Sequence, residues 1–108
     1  MSRIVISHAA RLDRREITAY TAEQFGVDSA RRLRRRFEAV LNALADSPLI
    51  GRACKSLDPP GRTFRYLLVA RTFILVYEPV KGGIRVARIL HGSRNLAAEL
   101  QREAGGDE

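Results

Sequence analysis

The feature that most constrains the fold is an amphipathic helix predicted between residues 28 and 46. Its apolar residues recur in steps of three and four, which places them on one face of an α-helix. We expect Asp28 or Ser29 to cap its start, and we expect it to end before Pro48. The apolar stripe consists of Ala30, Leu33, Phe37, Val40, Leu41 and Leu44. A stripe of this length has to be buried, so the rest of the chain must supply an apolar surface for it.

The other face of this helix is basic, and so is the chain as a whole. Nineteen lysines and arginines stand against 12 aspartates and glutamates, for a net charge of +7. Five of the arginines occur together in the helix, at Arg31, Arg32, Arg34, Arg35 and Arg36. A basic surface favours polyanions or acidic protein partners.

The residues before this helix predict a short strand and a first helix. The β-branched triplet within Arg3–Ser7 favours a strand. Ser7 is a suitable cap for a helix running from about Ala9 to Phe25, which Gly26 would end. Because a turn of about three residues joins the two predicted helices, we expect them to form an antiparallel hairpin.

The second half of the chain predicts a small sheet. A loop with three prolines and two glycines covers residues 47–61. Strands are then predicted at Phe64–Val69, Thr72–Pro79 and Ile84–His91, joined by tight turns into an antiparallel meander. A short C-terminal helix should run from Ser93 to about Glu103. The predicted class is therefore α+β, with one domain over residues 1–104 and a disordered tail at residues 105–108.

Arginine is the main candidate for function in the predicted sheet. Alternation along the last strand would place Ile84, Val86, Arg88 and Leu90 on one face, and Arg85, Ala87, Ile89 and His91 on the other. We expect the hairpin to cover one face of the sheet and to leave the other as a partly open, basic, concave surface. The predicted partner-binding residues are Arg65, Arg71, Arg85, Arg88, His91 and Arg94. Of these, Arg88 is the strongest candidate, because its predicted neighbours on that face are apolar.

The sequence predicts neither a cofactor nor a metal site. Cys54 is the only cysteine, and His8 and His91 are the only histidines, which is too few for the common Cys/His metal sites. No glycine-rich phosphate loop or Gly-x-Ser-x-Gly motif is present. A single cysteine excludes an internal disulfide, and the N-terminal apolar run is too short for a signal peptide. We therefore expect a cytoplasmic protein without a membrane role.

Several segments together resemble one family. They are Asp13–Ile17, Tyr20–Gly26, Pro48–Arg52, Phe73–Tyr77 and, most specifically, Val86–Leu96. In this order and spacing they are similar to the ParE branch of the ParE/RelE toxin superfamily. The resemblance covers about residues 3 to 96.

This resemblance implies a toxin of a type II toxin–antitoxin system. Such toxins poison DNA gyrase, trap it on cleaved DNA and inhibit growth, and the systems stabilise plasmids. The resemblance also implies a cognate antitoxin that covers the toxin with its C-terminal segment in a hetero-oligomer. An acidic segment would complement the net charge of +7.

Two other functions fit parts of the sequence. A RelE-like, ribosome-dependent mRNA endoribonuclease would use basic residues around the scissile phosphate and a general acid or base. Arg65, Arg88 and His91 are its candidate catalytic residues, but no tyrosine follows Tyr77 to complete the set typical of that branch. A basic nucleic-acid-binding domain is the third possibility, although the predicted strands lack the interleaved aromatic residues of single-strand binders.

Overall fold

Two helices pack against a five-stranded mixed sheet in the computed structural model, which describes residues 3–92 and residue 98. The elements are β1 (Arg3–Ile6), α1 (His8–Phe25), α2 (Val27–Asp46), β2 (Arg52–Ala53), β3 (Arg65–Val69), β4 (Phe73–Val80) and β5 (Gly83–His91), with a 3-10 turn at Lys55–Leu57. The strand order is β1-β5-β4-β3-β2, and β1 runs parallel to β5 while the other neighbours are antiparallel. The predicted α+β class, with a helical hairpin and a meander, is confirmed.

The ends of the helices follow from capping. The Ser7 side chain accepts a hydrogen bond from the Ala10 amide at 3.0 Å, which confirms the predicted cap of α1. Gly26 ends α1 at φ 95°, as predicted, but it also directly precedes α2. The predicted cap at Asp28 or Ser29 and the three-residue turn were therefore wrong. Glycine tolerates this positive φ, so a single residue makes the connection and Val27 already lies in α2.

The main core lies between the helices and one face of the sheet. It confirms the predicted stripe of α2, of which Leu33 and Val40 are partly buried. The buried members are Ala10, Phe37, Leu41, Leu44, Ala45, Val69, Leu75, Tyr77, Ile84, Val86 and Ile89. Burial of these apolar side chains is the main favourable contribution to folding.

The opposite face of the sheet carries a second apolar cluster. Its buried residues are Phe64, Val76, Ala87 and Leu90, and Leu57, Tyr66 and Ile74 pack against them. The predicted face is partly open, since Leu68, which pairs with Ile74, is 60% exposed, but the expectation that it is a basic surface was wrong, because its centre is apolar and covered. The physical reason is that the segment before β3 supplies Leu57 and Phe64 to this face, and burying apolar side chains there is favourable.

The segment from Ser47 to Gly61 also departs from the prediction of a plain loop. It contains β2, where Arg52 pairs with Tyr66 and Ala53 with Arg65, so the sheet extends beyond the meander. The predicted C-terminal helix lies outside the described residues except for Ala98, which is helical. The predicted tail at residues 105–108 lies outside them as well.

Candidate functional site

The predicted alternation of β5 is interrupted by a bulge. Val76 pairs with Arg88, but the next residue, Tyr77, pairs with Val86, so Ala87 is an extra residue in β5. Ile84, Val86 and Ile89 belong to the helix-side core, whereas Ala87 and Leu90 belong to the second cluster. The prediction that Ile84, Val86, Arg88 and Leu90 share one face was therefore wrong. An inserted residue reverses which face each later side chain occupies.

Arg88 is held by an internal ion pair with Asp13 of α1. Its Nε donates to Asp13 Oδ2 at 2.7 Å and its Nη2 donates to Asp13 Oδ1 at 2.9 Å. The two side chains are only 13% and 12% exposed. The planar guanidinium matches both carboxylate oxygens, so the contact is bidentate. Arg88 therefore joins the first helix to the last strand.

The same carboxylate continues the hydrogen bonding of β5 beyond the end of β1. β1 pairs with β5 only as far as Ile6 and Val86. Past this point, the Ser7 hydroxyl donates to the Ala87 carbonyl at 2.7 Å, and the Ile89 amide donates to Asp13 Oδ2 at 2.9 Å. Side chains from the cap and first turns of α1 thus satisfy buried polar groups of the strand.

Arg85 lies on the opposite side of the sheet from the helices, in a cluster around one carboxylate. Glu78 Oε2 accepts a hydrogen bond from Arg62 Nη2 at 2.6 Å and another from Arg85 Nη1 at 3.1 Å. The guanidinium of Arg62 also lies 5.0 Å from the ring centroid of Phe64, within range of a cation–π contact. Arg62 and Arg85 thus share one carboxylate oxygen of Glu78.

Arg65 and Tyr77 together hold the turn that follows α2. Arg65 Nη1 donates to the Gly51 carbonyl at 2.6 Å. The buried Tyr77 hydroxyl accepts from the Gly51 amide at 2.8 Å and donates to the Pro48 carbonyl at 2.7 Å. Burial raises the pKa of Tyr77, against the opposing effects of the Gly51 amide and the positive charge of Arg65. Arg65 is thus engaged by the chain's own backbone.

A second tyrosine, Tyr66, is tied to the segment that covers the other face. Its hydroxyl donates to Asp58 Oδ1 at 2.8 Å, and the same oxygen accepts from the Phe64 amide at 3.1 Å. Burial raises the pKa of Tyr66 far above its ordinary range, and the hydrogen bond to Asp58 raises it further. The hydroxyl therefore stays protonated at neutral pH and acts as a structural donor.

The remaining candidates lie at the end of the sheet or beyond the described residues. Arg71 lies in the β3–β4 turn, where Ala70 and Arg71 have φ values of 54° and 62°. Its side chain is exposed and has no ion-pair or hydrogen-bond partner within residues 3–92. The exposed His91 ends β5, and its ring packs edge-on against Phe73 with centroids 5.9 Å apart. Arg94 lies outside the described residues.

The structure does not bring the predicted site residues together in one groove. Cross-strand partners share a face, so Arg65, opposite Tyr77, lies on the helix side while Arg85 lies on the other side. Arg65 pairs with Tyr77 of β4, and His91 pairs with Phe73 of the same strand. These positions are four residues apart along β4, about 13 Å at the rise of a β-strand. The predicted residues of the described part therefore do not line a single surface, and a partner-binding role for each of them stays a prediction.

Asp13 and Glu78 are the residues that sequence reasoning missed. A signal was available, because the acids of the sheet half are scarce and an arginine among apolar strand residues needs a buried carboxylate from elsewhere. The sequence separation of 75 between Asp13 and Arg88 hides which acid supplies it. Glu78 was visible as an acid of the predicted second strand, and its pairing with Arg85 lies on the turn side of the bulge, within the regular part of the β4–β5 hairpin.

Searches of the described residues for two other kinds of site were negative. No group of three or more histidine, cysteine, aspartate or glutamate residues there is arranged to hold a metal ion. In the same part of the chain, neither helix combines the length and apolar character required to span a membrane.

Comparison with known proteins gives consistent similarities. Residues 4–96 match the model of the family described as ParE toxin of type II toxin-antitoxin system, parDE. The chain is 35% identical over 100 residues to Toxin ParE1 from two strains of Mycobacterium tuberculosis, CDC 1551 / Oshkosh and H37Rv, covering 92% of this chain and 98% of each relative. A solved structure titled "Chromosomal ParDE TA system from P. aeruginosa" is similar in fold, with a TM-score of 0.67 and 20% identity over 84% of this chain and 96% of that chain.

Proposed function

The chain belongs to the family of ParE toxins of type II toxin–antitoxin systems, and from this premise we propose that it inhibits DNA gyrase and is neutralised by a cognate antitoxin. In this proposal the free toxin arrests growth in the cytoplasm, and its operon can stabilise a plasmid. The lone Cys54 suits a reducing compartment.

The observation that favours a gyrase poison over a nuclease is that the two candidate catalytic arginines are bound by other groups of the same chain. Arg65 binds backbone carbonyls of the 49–51 turn, and Arg88 is paired with Asp13. His91 lies about 13 Å along the sheet from Arg65, by the rise per residue of a strand. A general acid–base mechanism needs its groups within hydrogen-bonding reach of one substrate. A RelE-like nuclease is the second candidate, because the imidazole of His91 is exposed at the end of β5, where a substrate can reach it.

Charge supports an acidic antitoxin segment as the neutralising partner. Basic residues exceed acidic ones by seven, and Arg71 is exposed at the end of the meander with no side-chain partner among the described residues. Complementary charge speeds the encounter of two proteins and selects against basic competitors. Arg85, which is partly exposed, and His91, which is exposed, are further predicted contacts with the antitoxin in this proposal.

We expect the purified chain to make gyrase accumulate cleaved DNA. Supercoiled plasmid is incubated with gyrase, ATP and increasing toxin, and linear plasmid is quantified after protein denaturation. Linear DNA should rise with toxin concentration, and the same toxin should leave ribosome-bound mRNA intact. The heat-unfolded chain is the control in both assays. Cleavage of ribosome-bound mRNA without any effect on gyrase would replace this proposal with the nuclease function.

A further inference from the structure

The outward face of α2 carries a basic cluster that the proposed function does not use. Five of the six residues from 31 to 36 are arginines, and all five are exposed. At 100° per residue they cover an arc of about 200°, centred opposite the stripe that packs on the sheet. At 1.5 Å per residue they span about 7.5 Å of the helix axis. We call Arg31, Arg32, Arg34, Arg35 and Arg36 the α2 arginine cluster.

The chain's own carboxylates neutralise this cluster only weakly. Arg31 faces Asp28 and Arg34 faces Glu38, each at 3.8 Å and with more than half of both side chains exposed. Exposed ion pairs of this kind contribute little. Arg32 donates to the neutral Ser29 hydroxyl at 3.0 Å, and Arg35 and Arg36 have no side-chain partner within the part of the chain described. Three of the five charges therefore have no carboxylate partner among the described residues, and the other two are paired so weakly that a ligand can also bind them.

The surroundings of the cluster favour phosphate over an acidic peptide. Protein interfaces depend on buried apolar or aromatic anchors at their centre. Beside the arginines, the outward face of α2 carries the exposed small or polar side chains of Ala39, Asn42 and Ala43, and its exposed large apolar residue, Val27, lies one turn away at the start of the helix. A cluster of guanidinium groups without such an anchor matches a ligand recognised by charge and bidentate hydrogen bonds alone, as phosphate is.

The same surroundings favour a duplex over a single strand. Single-stranded nucleic acids bind proteins by stacking their bases on exposed aromatic residues. Phe37, the aromatic residue of α2, is buried in the core, and the exposed aromatic residues of the hairpin, Tyr20 and Phe25, belong to α1 and not to the helix that carries the arginines. The major groove of B-form DNA admits an α-helix, whereas the deep, narrow major groove of A-form RNA does not. A helix whose exposed arc carries arginines over about 200° can therefore reach phosphates on both sides of the DNA groove.

We propose that the α2 arginine cluster binds the phosphate backbone of duplex DNA without sequence preference. This goes beyond the proposed function, because it requires neither gyrase nor an antitoxin. If the chain binds DNA but does not affect gyrase, the DNA-binding inference holds and the proposed gyrase inhibition is wrong. If the chain poisons gyrase but does not bind DNA by itself, the gyrase proposal holds and the DNA-binding inference is wrong.

The test is the salt dependence of binding to a fluorescein-labelled 20-bp duplex, measured by anisotropy between 50 and 200 mM salt. If five phosphates are contacted, affinity should fall on the order of 500-fold over this range, because each contact contributes about 0.9 to the logarithmic slope. The variant Arg32→Gln/Arg35→Gln/Arg36→Gln should lose about 2.7 of this slope and bind at least tenfold more weakly at low salt. Glutamine keeps the helix propensity of arginine, so α2 should remain folded by circular dichroism.

A matched control separates the cluster from bulk charge. Arg3→Gln/Arg52→Gln/Lys81→Gln removes the same three charges from exposed sites outside the helices. This variant should keep its affinity within about threefold and most of its salt slope. Should the triple variant of α2 fail to fold, Arg35→Gln and Arg36→Gln are measured singly, each with an expected slope loss of about 0.9.

Three results would overturn the inference. The first is no binding to the duplex at 50 mM salt. The second is equal weakening by the α2 variant and its control, which would show attraction by net charge alone. The third is tighter binding to double-stranded RNA or to a glutamate-rich peptide than to DNA, which would assign the α2 arginine cluster to another partner.

Discussion

Arg88 shows how strongly the chemistry of a single residue depends on its partner. A charged guanidinium beside apolar strand residues is costly to bury unless a carboxylate neutralises it. Asp13 does so with both oxygens and also accepts the Ile89 amide. From the sequence, Arg88 was the strongest candidate among the partner-binding residues, a role that requires no internal partner. The ion pair leads us to expect instead that Arg88→Ala destabilises the fold by leaving Asp13 uncompensated.

Asp13→Asn should lower the free energy of unfolding by about 2 kcal/mol, because it removes the charge that compensates Arg88 while keeping an acceptor for the Ile89 amide. Urea unfolding followed by circular dichroism measures the change. The matched control is Asp28→Asn, whose carboxylate is 86% exposed and pairs with Arg31 at 3.8 Å. That control should stay within about 0.5 kcal/mol of the parent chain. Equal stability of all three proteins would show that the Asp13–Arg88 pair contributes nothing.

At the scale of elements, β4 positions the turn between α2 and β2. Tyr77 occupies the centre of β4 and reaches the turn through two hydrogen bonds, to Pro48 and from Gly51. A Cβ added at Gly51 would lie 2.6 Å from the Tyr77 hydroxyl oxygen, so a side chain at this position is excluded by close approach. The strand and the turn are therefore one unit, although 26 residues separate Gly51 from Tyr77.

Tyr77→Phe should reduce the free energy of unfolding by about 1–3 kcal/mol, because it leaves a buried amide and a carbonyl without their partner. Thermal unfolding measures the loss, and hydrogen exchange should become faster at the Gly51 amide in particular. Tyr20→Phe, at a tyrosine that is 61% exposed, is the control and should change neither. An unchanged exchange rate at Gly51 in the Tyr77 variant would contradict the role of the hydroxyl.

The bulge in β5 determines which face of the sheet the later side chains of this strand occupy. With Ala87 inserted opposite the Val76–Tyr77 step, residues after it change faces relative to a regular strand. Ile89 consequently enters the helix-side core and Leu90 the second cluster, the reverse of the predicted assignment. Regular alternation correctly describes Ile84 to Val86, and it fails only beyond the inserted residue.

At the scale of the whole molecule, two basic regions of the surface have different proposed partners. The α2 arginine cluster faces outward from the helical layer, while Arg71 lies at the β3–β4 turn of the sheet. An acidic antitoxin segment bound to the native toxin alone would stabilise it by about 2.7 kcal/mol at 100 times its Kd. For a domain of this size, that corresponds to a rise in Tm of about 10–20 °C.

We expect Arg71→Gln to weaken binding of the antitoxin encoded beside this chain by about tenfold, because a charge-assisted contact at an exposed turn is lost. Calorimetric titration measures the affinity at a fixed, low salt concentration. Lys81→Gln removes an equally exposed charge from the other hairpin turn and should change affinity less than twofold. If both variants bind like the parent chain, Arg71 has no part in the antitoxin interface.

The sequence predictions were mostly correct where the structure depends on residues that are close together along the chain. The stripe of α2, the Ser7 cap, the end of α1 at Gly26 and the three strands of the meander depend on neighbours within a few residues. All of these were predicted. The cap of α2 was wrong even at short range, because a single glycine at φ 95° replaced the expected turn.

What the sequence by itself determined is the two helices, the first strand and the three strands of the meander, with their order and the family resemblance, because periodicity, capping and turn chemistry act between near neighbours along the chain. Only the tertiary structure decided which arginines are engaged internally, where β5 carries its extra residue, and that the second face of the sheet is covered. Those outcomes depend on Asp13 meeting Arg88 across 75 residues, and on Leu57 and Phe64 folding back onto the sheet. Contacts of that range follow from packing and desolvation of the complete molecule, which no local pattern encodes.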